Sequence, residues 1–295
     1  MKLPKASDIA DLVRLPSVLS VPGDVFLGVA TSGSRERPTK VAGLTAASSC
    51  LYLSGMALND YADRETDAAE RPKRPIPSGR VSPKFALRLA VGLTVAGLGF
   101  AYAVGGRRSL GVALPLAAAV WAYDLAVKET PWGPVAMAAC RSLDVLMGAT
   151  HIRKSLPAVG VVGGHTFLIT TVSRKEAQGG TKGLALGSLA GTTAVTAEAA
   201  RISLGKSGAG AFGWVRRVAA LALVGAHAAS MGKAELGAIK APNASNLQRV
   251  VGAGVLGLMP LEAGMLAGAG ALGRAAVLAA SWRLARKLAR ERPVT

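Results

Sequence analysis

Long apolar runs alternate with short polar gaps along almost the whole chain. Runs dominated by Ala, Gly, Leu and Val fall at about 15–32, 41–58, 84–104, 109–127, 132–151, 156–173, 183–203 and 211–232. Each is close to the roughly 20 residues that a helix needs to cross a hydrocarbon core about 30 Å thick. Two further apolar stretches lie at about 249–269 and 271–289; Arg274, Arg283, Arg286 and Lys287 interrupt the second, which reads as partly interfacial. Lipid offers no partner for a bare backbone amide, so the pattern predicts helices throughout. The expected fold is an all-α polytopic membrane bundle of about nine transmembrane helices. No gap resembles a linker, so residues 1–295 are expected to form a single domain.

The gaps differ in character. Those at 59–83, 124–131, 174–182 and 233–248 are rich in polar chemistry and alternate with plainer ones such as "SGSRERPTK" and "GGRRSL". Alternate gaps of a serial bundle lie on one membrane face, so the rich ones are expected to share a side with the N-terminus. Lys and Arg are more numerous there, which predicts a cell-membrane protein with these loops in the cytoplasm. The opening "MKLPKASDIADLVRLP" carries Asp8 and Asp11 and lacks a compact apolar core with a cleavage site. It reads as an amphipathic lead-in rather than a signal peptide.

Composition sharpens this picture. Of the 295 residues 51% are hydrophobic and only 18% charged, too few charges for a soluble domain of this size. The 36 glycines suit helices that approach closely in lipid. A net charge of +18 raises the question of nucleic acid. The basic residues are spread over the gaps instead of forming one patch, a distribution that fits lipid headgroups and excludes a nucleic-acid partner. Cys50 and Cys140 sit inside apolar runs and read as packing residues, and the three histidines show no metal-ligand spacing.

One stretch stands apart: "NDYADRETDAAERPKRPIPSGR", residues 59–80. Asn59, Asp63 and Asp67 recur at i, i+4 and i+8, and Asp60 lies three residues before Asp63, so a helix would place all four on one face. Carboxylates this close repel unless a cation lies between them, and Asp oxygens at this spacing suit Mg²⁺ held jointly with phosphate. Arg71, Lys73 and Arg74 can then complement a diphosphate. The alternative is a solvated loop whose acids and bases pair with each other; the helical register at the end of an apolar run argues against it.

"NDYADRETDAAERPKRPIPSGRVS" resembles the first aspartate-rich motif of the UbiA family of intramembrane prenyltransferases, and the apolar segments agree with that family along most of the chain. The resemblance implies a nine-helix bundle around a central cavity that opens laterally to lipid. It also implies transfer of a prenyl group from a prenyl diphosphate to a small acceptor, with Mg²⁺ held by two Asp-rich motifs. Asn59, Asp60, Asp63 and Asp67 fall on the metal–diphosphate motif, the three aspartates as metal ligands, and Arg71 and Arg74 fall on the basic loop behind it. "YDLAVKETPWG" resembles the family's loop between its fourth and fifth helices, with Tyr123 and Lys128 as counterparts and Lys128 contacting diphosphate.

The second motif departs from the family pattern. After the sixth segment the chain reads "HTFLITTVSRKEAQGGTKG", with Glu176 its only carboxylate among Arg174, Lys175 and Lys182. This is similar to an EboC-like branch in which "SRxEaxGG" replaces the acidic motif. Either Arg174, Lys175 or Lys182 takes over part of the charge neutralisation, or the site no longer ionises its substrate. In "RSLDVLMG", Arg141 and Asp144 are either a structural pair or residues that shape the acceptor side.

The sequence therefore predicts a Mg²⁺-dependent membrane prenyltransferase with an unidentified acceptor. The alternative is a carrier that keeps the fold to hold a phosphorylated lipid or isoprenoid without turnover. A secondary transporter is disfavoured by the lack of inverted repeats, and a CDP-alcohol phosphotransferase by Tyr61 and Ala62 following Asp60. The sequence leaves prenyl chain length and oligomeric state open.

Overall fold

The computed structural model describes residues 4–206 and 210–291. A short helix α1 (Ala6–Leu12) and a tight 3₁₀ turn (Leu15–Ser20) lead into α2 (Val21–Ser32). Helices α3 (Pro38–Ala62), α4 (Arg64–Glu70) and α5 (Pro83–Ala122) follow. The remaining helices are α6 (Gly133–Gly148), α7 (Ile152–Ser173), α8 (Lys182–Lys206), α9 (Gly210–Lys240), α10 (Ala244–Gly268) and α11 (Leu272–Glu291). The protein is an all-α polytopic membrane helical bundle.

The predicted segments 84–104 and 109–127 are both contained in α5 and the π turn after it. Gly106 breaks α5 with φ 61° and ψ −155°, a conformation that a residue with a Cβ rarely adopts. The stretch 271–289 forms α11, with Ala275, Leu278 and Ala285 buried against the bundle. The guanidinium of Arg274 lies over the ring of Phe26, and that of Arg286 over Trp282.

Among the described residues, four helical stretches are long and apolar enough to cross a membrane: Pro38–Ala62, Pro83–Val127, Ile152–Ser173 and Ala244–Gly268. A fifth arises if the bent pair Ala6–Leu12 and Ser17–Ser32 counts as one span. The long helices α8, α9 and α11 carry too much polarity to qualify: Glu198 and Arg201 in α8, Arg216, Arg217, Lys233 and Glu235 in α9, and the five cations of α11. The sequence count of about nine rested on apolar runs in which these charges were tolerated.

Helix α10 is the axis of one half of the bundle and packs against α9, α7, α8, α2 and α11. From Gly257 to Gly268 every residue is buried, as expected of a helix apolar on all sides but for one carboxylate, Glu262. Helix α3 pairs with α5, which turns Val91, Val95, Phe100 and Leu114 outward. Such an apolar exterior suits lipid and not water. Where α2 meets α6, a Cβ on Gly28 would collide with the Val145 carbonyl and one on Gly148 with the Val25 carbonyl. Only glycine permits backbones to approach this closely.

The polar gaps sort to the two ends as expected. At one end Asp8 and Asp11 bind Arg80 at 2.9 and 3.0 Å, Lys128 pairs with Asp63, and Gly180 N donates to Pro242 O at 2.9 Å. These contacts gather the N-terminal segment with the loops after α3, α5, α7 and α9. At the other end Ser34 meets Thr150 at 3.0 Å and Arg108 Nη2 reaches Ala149 O at 3.4 Å.

Candidate functional site

The acidic motif does not lie on one unbroken helix. Helix α3 ends at Ala62, Asp63 stands at the junction with φ −86° and ψ 2°, and α4 starts at Arg64. The register nonetheless continues, because Asp63 N donates to Asn59 O at 2.9 Å and Asp67 N to Asp63 O at 2.8 Å. Asn59 and Asp60 therefore occupy the last turn of α3, and Asp67 the next turn but one. Asp60 and Asp67 are both 3% exposed, which is unusual for carboxylates and demands partners.

Arg74 supplies the principal one. Its Nη1 lies 2.8 Å from Asp67 Oδ2 and 3.2 Å from Asp60 Oδ1, so one cation bridges two turns of the motif. The basic loop carries it there because Val81 N donates to Pro75 O at 2.9 Å, Gly79 turns with φ 75°, and Ile76 and Val81 bury against Leu12, Leu58 and Ala86. A second cation was not expected from the sequence. Arg14, in a left-handed conformation with φ 45°, places Nη2 3.1 Å from Asp60 Oδ1. Only the unusual backbone of the lead-in brings it there, and its sequence context gave no sign of that.

The segment after α5 brings the third side of the site. Residues Tyr123–Val127 form a π turn, and Lys128 N donates to Tyr123 O at 2.9 Å. Such a turn inserts one residue and re-aims the side chains around it. Here it turns Tyr123 and Asp124 into the cavity and sets Lys128 on Asp63. Asp124 Oδ1 accepts from Asn59 Nδ2 at 3.2 Å. Asp124, buried and not singled out in the sequence, sits beside two residues that were.

The loop after α7 joins the same end. Arg174 does not extend toward Asp63; its guanidinium binds the carbonyls of Lys128 at 3.0 Å and Glu129 at 3.2 Å, and also that of Thr130. It clamps the loop that carries Lys128. Glu176 is half-buried, and burial raises its pKa above the usual carboxylate value, with the charge of Arg71 opposing that shift. This places Arg71, itself exposed, within electrostatic reach of Glu176 and links the two motifs. Lys182 is exposed at the start of α8 and makes no described contact with the acidic motif.

A cavity of about 210 Å³ opens beneath these residues. Arg14, Asn59, Tyr123 and Asp124 line its mouth, Leu51, Met56, Leu116, Val120 and Met137 its walls, and Ser48, Tyr52, Arg141 and Asp144 its inner end. Cys140 also lines it; both cysteines are free, as expected. Arg141 pairs with Asp24 at 3.0 Å and not with Asp144, whose Oδ2 accepts from Ser48 Oγ at 2.7 Å. His165 and His227, distant in sequence, meet with ring centroids 5.1 Å apart. Each also bonds a carbonyl of α10, at Gly254 and Gly257.

The donor set at the mouth fits Mg²⁺. Its oxygens are hard carboxylates, and Asp60 and Asp67 already converge on one cationic nitrogen. Among the described residues no three His, Cys, Asp or Glu side chains meet at a metal-sized point. The remaining ligands would be phosphate oxygens and water, the company Mg²⁺ prefers.

Comparison with known proteins agrees with this architecture. A digeranylgeranylglyceryl phosphate synthase of Natronomonas pharaonis is 32% identical over 165 residues, which is 54% of this chain and 50% of that protein. The match covers 39% of the length of a second digeranylgeranylglyceryl phosphate synthase, from Methanopyrus kandleri, so the chain spans half or less of these two curated relatives. A UbiA homolog from Aeropyrum pernix K1 superposes with a TM-score of 0.64 at 20% identity, covering 85% of this chain and 96% of that one. A UbiA homolog from Archaeoglobus fulgidus, solved with GPP and Mg²⁺, gives 0.58 at 13% identity, covering 88% and 99%. At such identities the likeness is one of fold. Residues 24–234 match the sequence profile of the UbiA prenyltransferase family, and the chain belongs to that family.

Proposed function

We propose that this chain is a Mg²⁺-dependent membrane prenyltransferase that moves a prenyl group from a prenyl diphosphate to a small acceptor. The observation that carries the reading is the pair of buried carboxylates, Asp60 and Asp67, bridged by Arg74 next to the cavity mouth that Arg14, itself paired with Asp60, lines. Asp60, Asp63 and Asp67 would hold Mg²⁺, which when bound supplies positive charge against the diphosphate leaving group. Arg14, Arg74 and Lys128 exchange their carboxylate partners for diphosphate oxygens, and Asn59 orients the headgroup. Arg71 adds charge from the rim, and Arg174 holds Lys128 in place through its loop.

The bond between C1 of the prenyl chain and the diphosphate oxygen breaks, and its electron pair leaves with the diphosphate. The acceptor's nucleophilic atom forms the new bond to C1, and its proton passes to Asp124. Leu51, Met56, Val120 and Met137 keep water from the allylic cation. Tyr123 and Tyr52 line the same cavity, and aromatic rings are stabilising neighbours for a cation.

Finer placements belong to the same reading. The chain is one intramembrane unit of about nine spans, with α8, α9 and α11 crossing despite their charges because neighbours or headgroups cover them. Its active-site loops face the cytoplasm. On this reading the chain is of an EboC-like branch, with Arg174, Glu176 and Lys182 in place of the second acidic motif. A carrier without turnover is the second reading, favoured by Glu176 being the only acid in that loop.

Purified protein incubated with labelled geranylgeranyl diphosphate, Mg²⁺ and a lipid extract should release diphosphate and yield a labelled lipid. Tight binding with no diphosphate released would leave the carrier.

A further inference from the structure

Arg80 ends the basic loop, and none of its described bonds goes to the acidic motif. Its Nη1 donates to Asp8 Oδ1 at 2.9 Å and to Asp11 Oδ2 at 3.0 Å, its Nη2 to the Lys73 carbonyl at 3.0 Å, and its Nε to Ser78 Oγ at 3.1 Å. One guanidinium thus closes the loop on itself and ties it to neighbouring positions on one face of α1. Helix α1 has only 7 residues, too few to hold its shape alone. Leu12 and Val13 anchor its end among Leu58, Ile76, Val81 and Ala86, and the Arg80 fork supplies the polar half of the attachment. Arg14 follows directly, with a φ of 45° that a residue carrying a Cβ keeps only where its surroundings enforce it. Its Nη2 and the Nη1 of Arg74 lie 3.1 and 3.2 Å from the same oxygen, Asp60 Oδ1. Two guanidinium groups on one oxygen repel each other, and the Arg14 side chain, 29% exposed, has solvent open to it. The backbone that carries Arg14 therefore has to be held.

We propose that Arg80 is a positioning residue for diphosphate capture: by clamping α1 to the basic loop it holds Arg14 beside Arg74, so that the two cations stand ready for one anion. The proposal rests on the prenyltransferase reading above and assigns what sets one of its binding cations. An isolated exposed ion pair contributes little, but a fork that satisfies two carboxylates and two loop oxygens is a network with defined geometry. An ammonium is a point charge that cannot span those four acceptors at once, so the role needs arginine. Gathering Arg14 and Arg74 before the diphosphate arrives removes the ordering that binding would otherwise require. Arg14 lines the cavity mouth and Arg80 does not, so Arg80 acts on the ligand through Arg14.

The test measures geranyl diphosphate binding by calorimetry, with Mg²⁺, to the full chain in lipid nanodiscs. Wild type, Arg80→Ala, Arg14→Ala and the double variant are compared. Losing a bond to a charged group predicts binding about tenfold weaker for Arg14→Ala, and about fivefold weaker for Arg80→Ala, which leaves Arg14 present but unheld. The double variant should bind within about twofold of Arg14→Ala, because the two residues act as one unit. Combined with Lys128→Ala, which removes a cation on a different carboxylate, the Arg80→Ala loss should multiply in full. Arg80→Lys should fall close to Arg80→Ala. Amide hydrogen exchange over residues 6–14, measured without ligand, should quicken in Arg80→Ala. Asp11→Asn removes one arm of the fork, should show the same pattern more weakly, and takes the place of Arg80→Ala if that variant does not fold. Losses that multiply between Arg80→Ala and Arg14→Ala, exchange that does not change, or wild-type affinity in the clamp variants overturns the proposal alone. A wild type that binds no geranyl diphosphate overturns the prenyltransferase reading, and this proposal with it.

Discussion

Replacing Arg74 by Met isolates the electrostatic logic of the site. Arg74 is the only cation within 4 Å of Asp67 among the described ion pairs, and it shares Asp60 with Arg14. Breaking a buried ion pair by removing one partner costs about 3–5 kcal/mol. The Arg74 side chain is 15% exposed and Asp60 keeps Arg14, so about 2–3 kcal/mol is expected here. For a chain of this size that is a fall in Tm of about 4–10 °C. Met retains most of the aliphatic volume, so the loss reports charge more than packing. Thermal unfolding in detergent, followed with and without 10 mM Mg²⁺, is the assay. A divalent cation can replace the lost guanidinium, so Mg²⁺ should recover most of the loss in the variant and shift the wild type little. Ca²⁺, larger and less demanding in geometry, should recover less. A variant as stable as the wild type, or one that Mg²⁺ leaves unchanged, would refute the view that Asp60 and Asp67 form a cation site.

Other outcomes follow from the same contacts. Asp63→Asn should abolish transfer while Tm, measured in detergent, moves by no more than about 2 °C, because Asp63 is the most exposed of the three aspartates. Arg174→Lys should raise the KM for prenyl diphosphate with a smaller change in kcat, since an ammonium cannot bridge the carbonyls of Lys128 and Glu129 that the guanidinium fork spans; steady-state kinetics decide it. The pKa of Glu176 is raised in the folded state, so ionising it costs stability as pH rises past the unfolded value toward the folded one. Glu176→Gln should thus be slightly more stable than wild type at pH 7 and equal to it near pH 4, as read by Tm against pH. In activity assays the same variant should raise the Mg²⁺ concentration for half-maximal rate if Glu176 is a ligand, or weaken prenyl diphosphate binding if it orients a cation.

The motif was legible because helical spacing survives a change of helix: Asn59, Asp63 and Asp67 keep their register across the break at Ala62. The side on which the polar loops meet was legible for a similar reason, since serial spans alternate. Arg14 was hidden because a non-glycine residue in the left-handed region is not announced by its neighbours. Asp124 was hidden because a π turn shifts phase by one residue, so a residue expected beside the site is turned into it. The Asp24–Arg141–Asp144–Glu262 cluster joins helices far apart in sequence, and only packing reveals that Arg141 chooses Asp24 over its near neighbour. The count of spans misled in another way. Arg216 and Arg217 fall inside the run 211–232 and Glu235 in the polar gap after it, yet α9 continues to Lys240 and Glu235 is buried in it, bonded by Ser188 and Thr192.

The most direct test is single-turnover release of diphosphate from labelled geranylgeranyl diphosphate by the purified wild type and by Asp63→Asn. The wild type should release diphosphate only with Mg²⁺ and form a labelled lipid product when acceptor is supplied, and Asp63→Asn should do neither while still folding. Stoichiometric binding without any diphosphate released by the wild type, or equal release by both proteins, would contradict the account.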